Sequence, residues 1–166
     1  PMEYFGIDIS SASIRQAKKK EGKNIHFSCY DGKKIPFPDE SFDIILLACV
    51  LHHVPHAEHP ELLKECQRVL KKQGSIYIFE HNPWNPVTRK IVNDCVFDKD
   101  AVLVKKGKLV RVMRRAGFVN PKVSYLIFFP RKGFFQKFLW MEKFLTWLPL
   151  GGQYSVSCTK ESVCKG

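Results

Sequence analysis

The residues best placed for chemistry in this 166-residue sequence stand where apolar segments end. Asp8 closes Tyr4-Phe5-Gly6-Ile7, and Asp31 follows the segment Asn24 to Cys29. His52 and His53 follow the run Phe42 to Leu51, and Glu80 closes Ser75-Ile76-Tyr77-Ile78-Phe79. In an open sheet of parallel strands, ligands bind beyond the carboxyl ends of the strands. An acid there can accept hydrogen bonds from both hydroxyls of a nucleotide ribose, and an imidazole at the same end can take a proton from an acceptor. Glu80, His81 and Asn82 leave their segment through a turn holding Pro83 and Pro86, which aims the three polar groups at the substrate side of a cleft. His52, His53, His56 and His59 invite a metal, because imidazoles at i, i+3 and i, i+4 converge on a helix. Pro55 and Pro60 interrupt that helix, so no metal is expected.

These residues meet only if strands and helices alternate. Strands are predicted over 4–8, 24–29, 42–51, 75–80, 122–129 and 153–159. The run Phe42 to Leu51 is nearly continuous in apolar residues, as expected of a parallel strand covered on both faces. Helices are predicted over 10–20, 86–94 and 106–116, with a further one carrying Leu62, Leu63, Cys66, Val69 and Leu70 at helical spacing and Gly74 just past its end. The pattern implies one α/β domain over 1–166, Rossmann-like, with a mostly parallel sheet and helices on both faces.

Composition narrows the alternatives. At 45% hydrophobic and 26% charged residues, the sequence is neither a disordered tail nor a disulfide miniprotein. Its longest apolar run, Ile44 to Leu51, is far below the roughly 20 residues of a membrane-spanning helix. No basic-then-apolar leader opens the sequence, and none of its six cysteines form a C-x-x-C pair. Cys49 in an apolar run and Cys66 on an apolar helix face read as buried free thiols. The expected compartment is therefore reducing and cytosolic. The formal charge of +11 is not shared evenly. Residues 1–100 hold 14 basic and 14 acidic groups, whereas 101–166 hold 13 basic and 2 acidic ones.

Four stretches, in order, resemble the class I S-adenosylmethionine-dependent methyltransferases, in their methyltransferase domain 11 form. They are F-G-I-D-I-S at 5–10, D-G-K-K-I-P-F-P-D-E-S-F-D at 31–43, L-L-A-C-V-L-H-H-V at 46–54 and L-L-K-E-C-Q-R-V-L-K-K-Q-G at 62–74. R-R-A-G-F at 114–118 is a fifth. The resemblance implies S-adenosyl-L-methionine as cofactor, with Asp8 on its ribose, Ile9 beside its adenine, and Asp31 and Gly32 at the adenine edge. It implies that Ala48, Cys49, Val50 and Leu51 line the methionine side. His53 is then the candidate base, and His52, Glu80, His81 and Asn82 face the substrate. The family's opening strand and its loop of the type D-x-G-x-G-x-G have no counterpart here, since the sequence holds no Gly-x-Gly. That implies a sequence lacking the central strand, whose two flanking strands must pair directly or admit a second chain, so a homo-oligomer is one expectation.

The basic end carries a second signal. Nine of the 21 aromatics fall between Tyr125 and Leu150. A helical insertion is expected over 130–150, with Phe134, Phe138, Met141, Leu145 and Leu148 on one stripe and Trp140 and Trp147 on another face. The first stripe reads as packed on the domain or as a lid. With Arg131, Lys132, Lys137 and Lys143, the segment 131–148 also reads as a peripheral membrane contact, suiting a small-molecule or lipid-like acceptor. The aromatics follow a helical rather than a strand-face pattern, which argues against nucleic acid as partner.

Overall fold

A computed structural model describes residues 2–130 and 132–161, so Arg131 and Cys164 lie outside the described residues. Where the sequence suggests one domain, the backbone gathers into two compact units, Pro1–Pro38 and Asp39–Gly166, each described by itself.

The first unit is a single βαβ turn of chain: β1 (Tyr4–Asp8), α1 (Ser11–Lys18) and β2 (Ile25–Cys29). β1 and β2 pair in parallel from Tyr4↔Ile25 to Asp8↔Cys29, so the two carboxyl ends fall side by side. Ser10 caps α1, its Oγ accepting the Ser13 N–H at 3.2 Å, while Arg15 and Lys18 sit in the last turn where the helix dipole favours cations. Ile14 is its buried anchor.

The second unit holds β3 (Phe42–Ala48), α2 (His59–Val69), β4 (Leu70–His81), α3 (Pro86–Asp94), α4 (Lys106–Arg115), β5 (Phe118–Leu126), α5 (Glu142–Leu145) and β6 (Gln153–Lys160). Its sheet runs β3-β4-β6-β5. β3 and β4 are parallel, but β6 enters antiparallel to both β4 and β5. The α/β class stands; the sheet is mixed rather than mostly parallel, because the closing strand reverses.

One face of the second sheet makes the core. Ile76 and Ile78 of β4 and Tyr154, Val156 and Cys158 of β6 alternate inward, and Leu63, Cys66 and Val69 of α2 and Leu109 and Met113 of α4 are buried with them. Each such aliphatic side chain contributes about 1.5–3 kcal/mol by leaving water. The opposite face is not covered as the apolar run suggests: Ile44 and Leu46 of β3 are 56% and 62% exposed.

Two boundaries differ from the sequence reading for local reasons. Gly74 does not terminate α2. The helix stops at Val69, and β4 starts at once with a detour between Phe42↔Leu70 and Ile44↔Ser75. A Cβ at Gly74 would lie 2.8 Å from the Lys71 carbonyl oxygen, so glycine is what the detour requires. β5 begins four residues before the predicted start, because a bulge between Val119 and Lys122 takes in Pro121, with Asn120 at φ 53°.

Candidate functional site

In the first unit, the parallel pairing sets the ends of β1 and β2 together, and the turns beyond them hold the candidate ligand groups. The Ser10 N–H donates to Asp8 Oδ1 at 2.7 Å, and the Tyr30 N–H donates to the Asp8 carbonyl at 3.2 Å. Asp31 Oδ1 accepts the N–H groups of Lys33 at 2.9 Å and Lys34 at 3.1 Å. Those backbone bonds, from Lys33 first and Lys34 second, hold the Asp31 carboxyl below its ordinary range. Gly32 follows at φ 77°, and a Cβ placed there would lie 3.1 Å from Ile9 Cγ2. Ile9 itself is 68% exposed. An open apolar side chain, a bare stretch of backbone and two carboxylates therefore share one end of this small sheet. The set fits a nucleoside: carboxylate for the hydroxyls, isoleucine for a ring face, and backbone and Asp31 for a ring edge.

In the second unit, β3 ends in a tight bend. Cys49 sits at φ 55°, its N–H donating to the Phe79 carbonyl at 2.9 Å. A non-glycine residue in that region stores strain that its surroundings must hold. Ala48 and Val50 face outward, Cys49 is half-buried, and Leu51 is fully buried in the core, so Leu51 does not line a ligand surface as expected. Burial pushes the Cys49 thiol up, with Glu80 and then Asp98 adding to it.

Leu51, His52 and His53 form one turn of 3-10 helix. Glu80, buried at the end of β4, fixes it: Oε1 accepts the Leu51 N–H at 2.7 Å and Oε2 pairs with His52 Nδ1 at 2.7 Å. Asn82 is also buried, its Nδ2 donating to the carbonyls of Pro149 at 3.1 Å and Gly151 at 2.8 Å, while its Oδ1 accepts the Trp84 N–H. Glu80 and Asn82 thus serve the protein's own backbone and His52 instead of pointing into a cleft. His52 is buried with them, and His81 is half-buried, its ring 5.0 Å from that of His52. Burial opposes the charge on His52, but the hydrogen bond and charge of Glu80, then Asp98, outweigh it and raise its pKa. For His81, burial and then the neighbouring His52 lower it.

His53 alone of this turn keeps an open ring, with its side chain 45% exposed. Its Nε2 lies 3.4 Å from Asp98 Oδ1. Asp98, on a second 3-10 turn (Val96–Asp98), is the residue that sequence reasoning missed. Its only cue was an acid inside Cys95-Val96-Phe97-Asp98, far from the histidines in sequence. The four neighbouring histidines separate into two pairs: His52 with His53, and His56 with His59. His59 is buried, its Nε2–H shared between the carbonyls of Leu51 at 2.9 Å and Val54 at 3.0 Å.

The cysteines Cys29, Cys49, Cys66, Cys95 and Cys158 are free thiols, and burial pushes that of Cys66 up to about 12. No described helix is long and apolar enough to cross a membrane. Phe138, Met141, Leu145 and Leu148 are half-buried, whereas Phe134, Trp140, Phe144 and Trp147 are exposed. The segment is anchored by Glu142, whose Oε1 accepts the N–H groups of Phe128 and Phe129, and by the Tyr125 N–H donating to the Thr146 carbonyl.

Comparison with known proteins follows the same lines. The model of the methyltransferase domain family matches residues 2–78. A Methanocaldococcus jannaschii protein of uncharacterised function is 31% identical over 128 residues, which are 75% of this chain and 60% of that protein. The ubiquinone/menaquinone biosynthesis C-methyltransferase of Rickettsia bellii is 33% identical over 109 residues, 62% of this chain and 42% of the enzyme. The chain thus spans about half the length of these curated relatives. Among solved structures, a methyltransferase from Thermotoga maritima, described as a possible histamine N-methyltransferase, superposes with TM-score 0.73. That likeness has 23% identity and covers 95% of this chain and 73% of the other. A methyltransferase from Archaeoglobus fulgidus gives TM-score 0.70 at 18% identity, covering 94% and 75%. Residues 2–78 therefore match the methyltransferase domain family, and the fold is the one found in S-adenosylmethionine-dependent methyltransferases.

Proposed function

We propose that the chain acts in methyl transfer from S-adenosyl-L-methionine to a small, lipid-like acceptor. The observation that carries the cofactor half is the cluster at the ends of β1 and β2. There Asp8 would hold the ribose, exposed Ile9 would flank the adenine, and Asp31 with Gly32 would meet the adenine edge. When bound, the cofactor supplies an activated sulfonium methyl group. The protein's own contribution is then alignment and exclusion of water. Ala48, Cys49 and Val50 take the methionine-side part that family likeness gives them. By the same likeness His53, whose open ring lies beside Asp98, would be the proton-accepting candidate.

The lipid-like acceptor is favoured by the exposed aromatic and basic face: Phe134, Trp140, Phe144 and Trp147 with Lys132, Lys137 and Lys143. Exposed tryptophans with flanking lysines suit an anionic membrane surface, where such an acceptor resides. The quinone-biosynthesis relative is in keeping with that class.

Calorimetric titration with S-adenosylhomocysteine tests the cofactor half. Binding by the native chain and its loss of about tenfold or more in Asp8→Asn are expected, since a charge-assisted hydrogen bond is worth that much. Absence of binding by the native chain overturns the reading. Cosedimentation with anionic vesicles, lowered in Trp140→Ala/Trp147→Ala, tests the lipid half.

A further inference from the structure

We propose that His52, His53 and Asp98 form a binding site for one divalent transition-metal ion of the zinc type, with Glu80 as the outer carboxylate that orients His52. The two histidines stand next to one another on the 3-10 turn after β3, and Asp98 reaches them from the turn Val96–Asp98. One candidate ligand atom from each of His52, His53 and Asp98 lies within 4.8 Å of the other two.

The distances favour an ion over direct hydrogen bonds. Asp98 Oδ1 is 3.6 Å from His52 Nε2 and 3.4 Å from His53 Nε2. A direct charge-assisted hydrogen bond closes to about 2.7–2.9 Å, as the His52–Glu80 pair does at 2.7 Å. With metal–nitrogen and metal–oxygen bonds of about 2.0–2.2 Å, the edges of a tetrahedron measure about 3.3–3.6 Å. Both observed edges fall there, and the third stays within 4.8 Å.

The surroundings have the form such a site needs. His52 Nδ1 is engaged by Glu80 Oε2, so a neutral His52 carries its proton on that nitrogen and offers the Nε2 lone pair on the side of Asp98. The turn itself is pinned from both sides, by the Leu51 N–H on Glu80 and by the Val102 N–H on the His52 carbonyl at 2.8 Å. The Asp98 turn is closed by its own N–H on the Cys95 carbonyl and by the Ala101 N–H on the Asp98 carbonyl. The side chain of His52 is 1% exposed and that of Asp98 14%, whereas that of His53 is 45% exposed. Two ligands are thus walled in and the third borders solvent, which leaves an outward coordination position for water or an acceptor oxygen. Two histidines and one carboxylate with an open position is a ligand set that zinc, cobalt and ferrous iron accept.

The proton-accepting role of His53 belongs to the metal-free chain, since a metal-bound His53 has no lone pair left to take a proton. The metal site does not depend on cofactor binding, so the two can fail separately. The test is titration of the full chain, first stripped by a chelator, with Zn²⁺ by calorimetry and with Co²⁺ by visible absorption. One equivalent should bind, with the intense ligand-field bands of tetrahedral cobalt. Asp98→Asn and His53→Gln should each weaken binding by about tenfold or more, and Glu80→Gln by roughly 10–100-fold through His52. His56→Gln should leave it unchanged. Asp98→Asn and His53→Gln alter a turn and a half-exposed ring, so both should keep the native circular dichroism even if Glu80→Gln does not. Lack of a tetrahedral cobalt spectrum in the native chain overturns the proposal. So does a spectrum that survives in both Asp98→Asn and His53→Gln.

Discussion

Asp8 and Glu80 occupy the same kind of place, the last positions of strands in two parallel pairs, yet the chain treats them in opposite ways. Asp8 is half-buried and gives Oδ1 to the Ser10 N–H next to it. Glu80 is fully buried, and both its oxygens are taken by the turn of Leu51 and His52, far away in sequence. The first carboxylate is held by its immediate neighbours and keeps acceptor capacity for something from outside. The second has given all of its strong bonds to the fold. A strand-end acid therefore reads as a ligand group only where its partners are local; where they are distant, the acid positions other residues.

The contrast is sharpest on removal of each carboxylate. Glu80→Ala strips a buried partner from His52 Nδ1 and leaves the Leu51 N–H unpaired, which should cost about 3–5 kcal/mol in chemical denaturation. Asp8→Ala forfeits one local hydrogen bond and should cost only about 0.5–1.5 kcal/mol. Equal losses would show that the two positions do not differ in kind. A double-mutant cycle of Glu80→Gln with His52→Gln sharpens the point, because a shared network predicts clear non-additivity. Asn82→Ala comes next in size. It leaves the Pro149 and Gly151 carbonyls without their donor, and about 1–3 kcal/mol should be lost. Cofactor affinity should stay within a factor of about two, since Asn82 faces the chain's own loop.

The same distinction explains what was legible in the sequence. That Asp8 and Asp31 stand at neighbouring strand ends was legible from element order, because parallel pairing brings two adjacent strand ends together and their bonds run over two or three residues, whereas Ile9 and Gly32 were singled out by the family resemblance alone. The alternation of strands and helices was legible for the same reason, since each element is announced by its own periodicity. Burial of Glu80 and Asn82 was not, because their partners lie 29 and 69 residues away. Asp98 escaped notice likewise: its closeness to His52 and His53 is made by the packing of one short turn on another, and no spacing encodes it. The antiparallel entry of β6 also depends on chain reversal rather than on its residues. Cys49 looked like an ordinary member of an apolar strand, but the strand ends before it, and its backbone turns into the left-handed region.

The smallest effect expected is a pH response in the first unit, at Asp31. Its carboxylate is exposed, and the N–H groups of Lys33 and Lys34 donate to Oδ1, which favours the charged form and lowers its pKa from the ordinary 3.8. A group whose pKa is depressed on folding stabilises the fold above its unfolded value, and that contribution disappears as pH falls through the folded value. The turn around Gly32 should therefore stay closed throughout neutral and mildly acidic conditions, opening only below 3.8. Following the Lys33 and Lys34 amide resonances against pH measures this directly, with a midpoint below that value expected. Asp31→Asn should remove the transition while leaving a weaker turn, since an amide oxygen still accepts. A midpoint at or above 3.8 would mean that the two hydrogen bonds do not hold in solution, and the proposed adenine-edge role of Asp31 and Gly32 would lose its support.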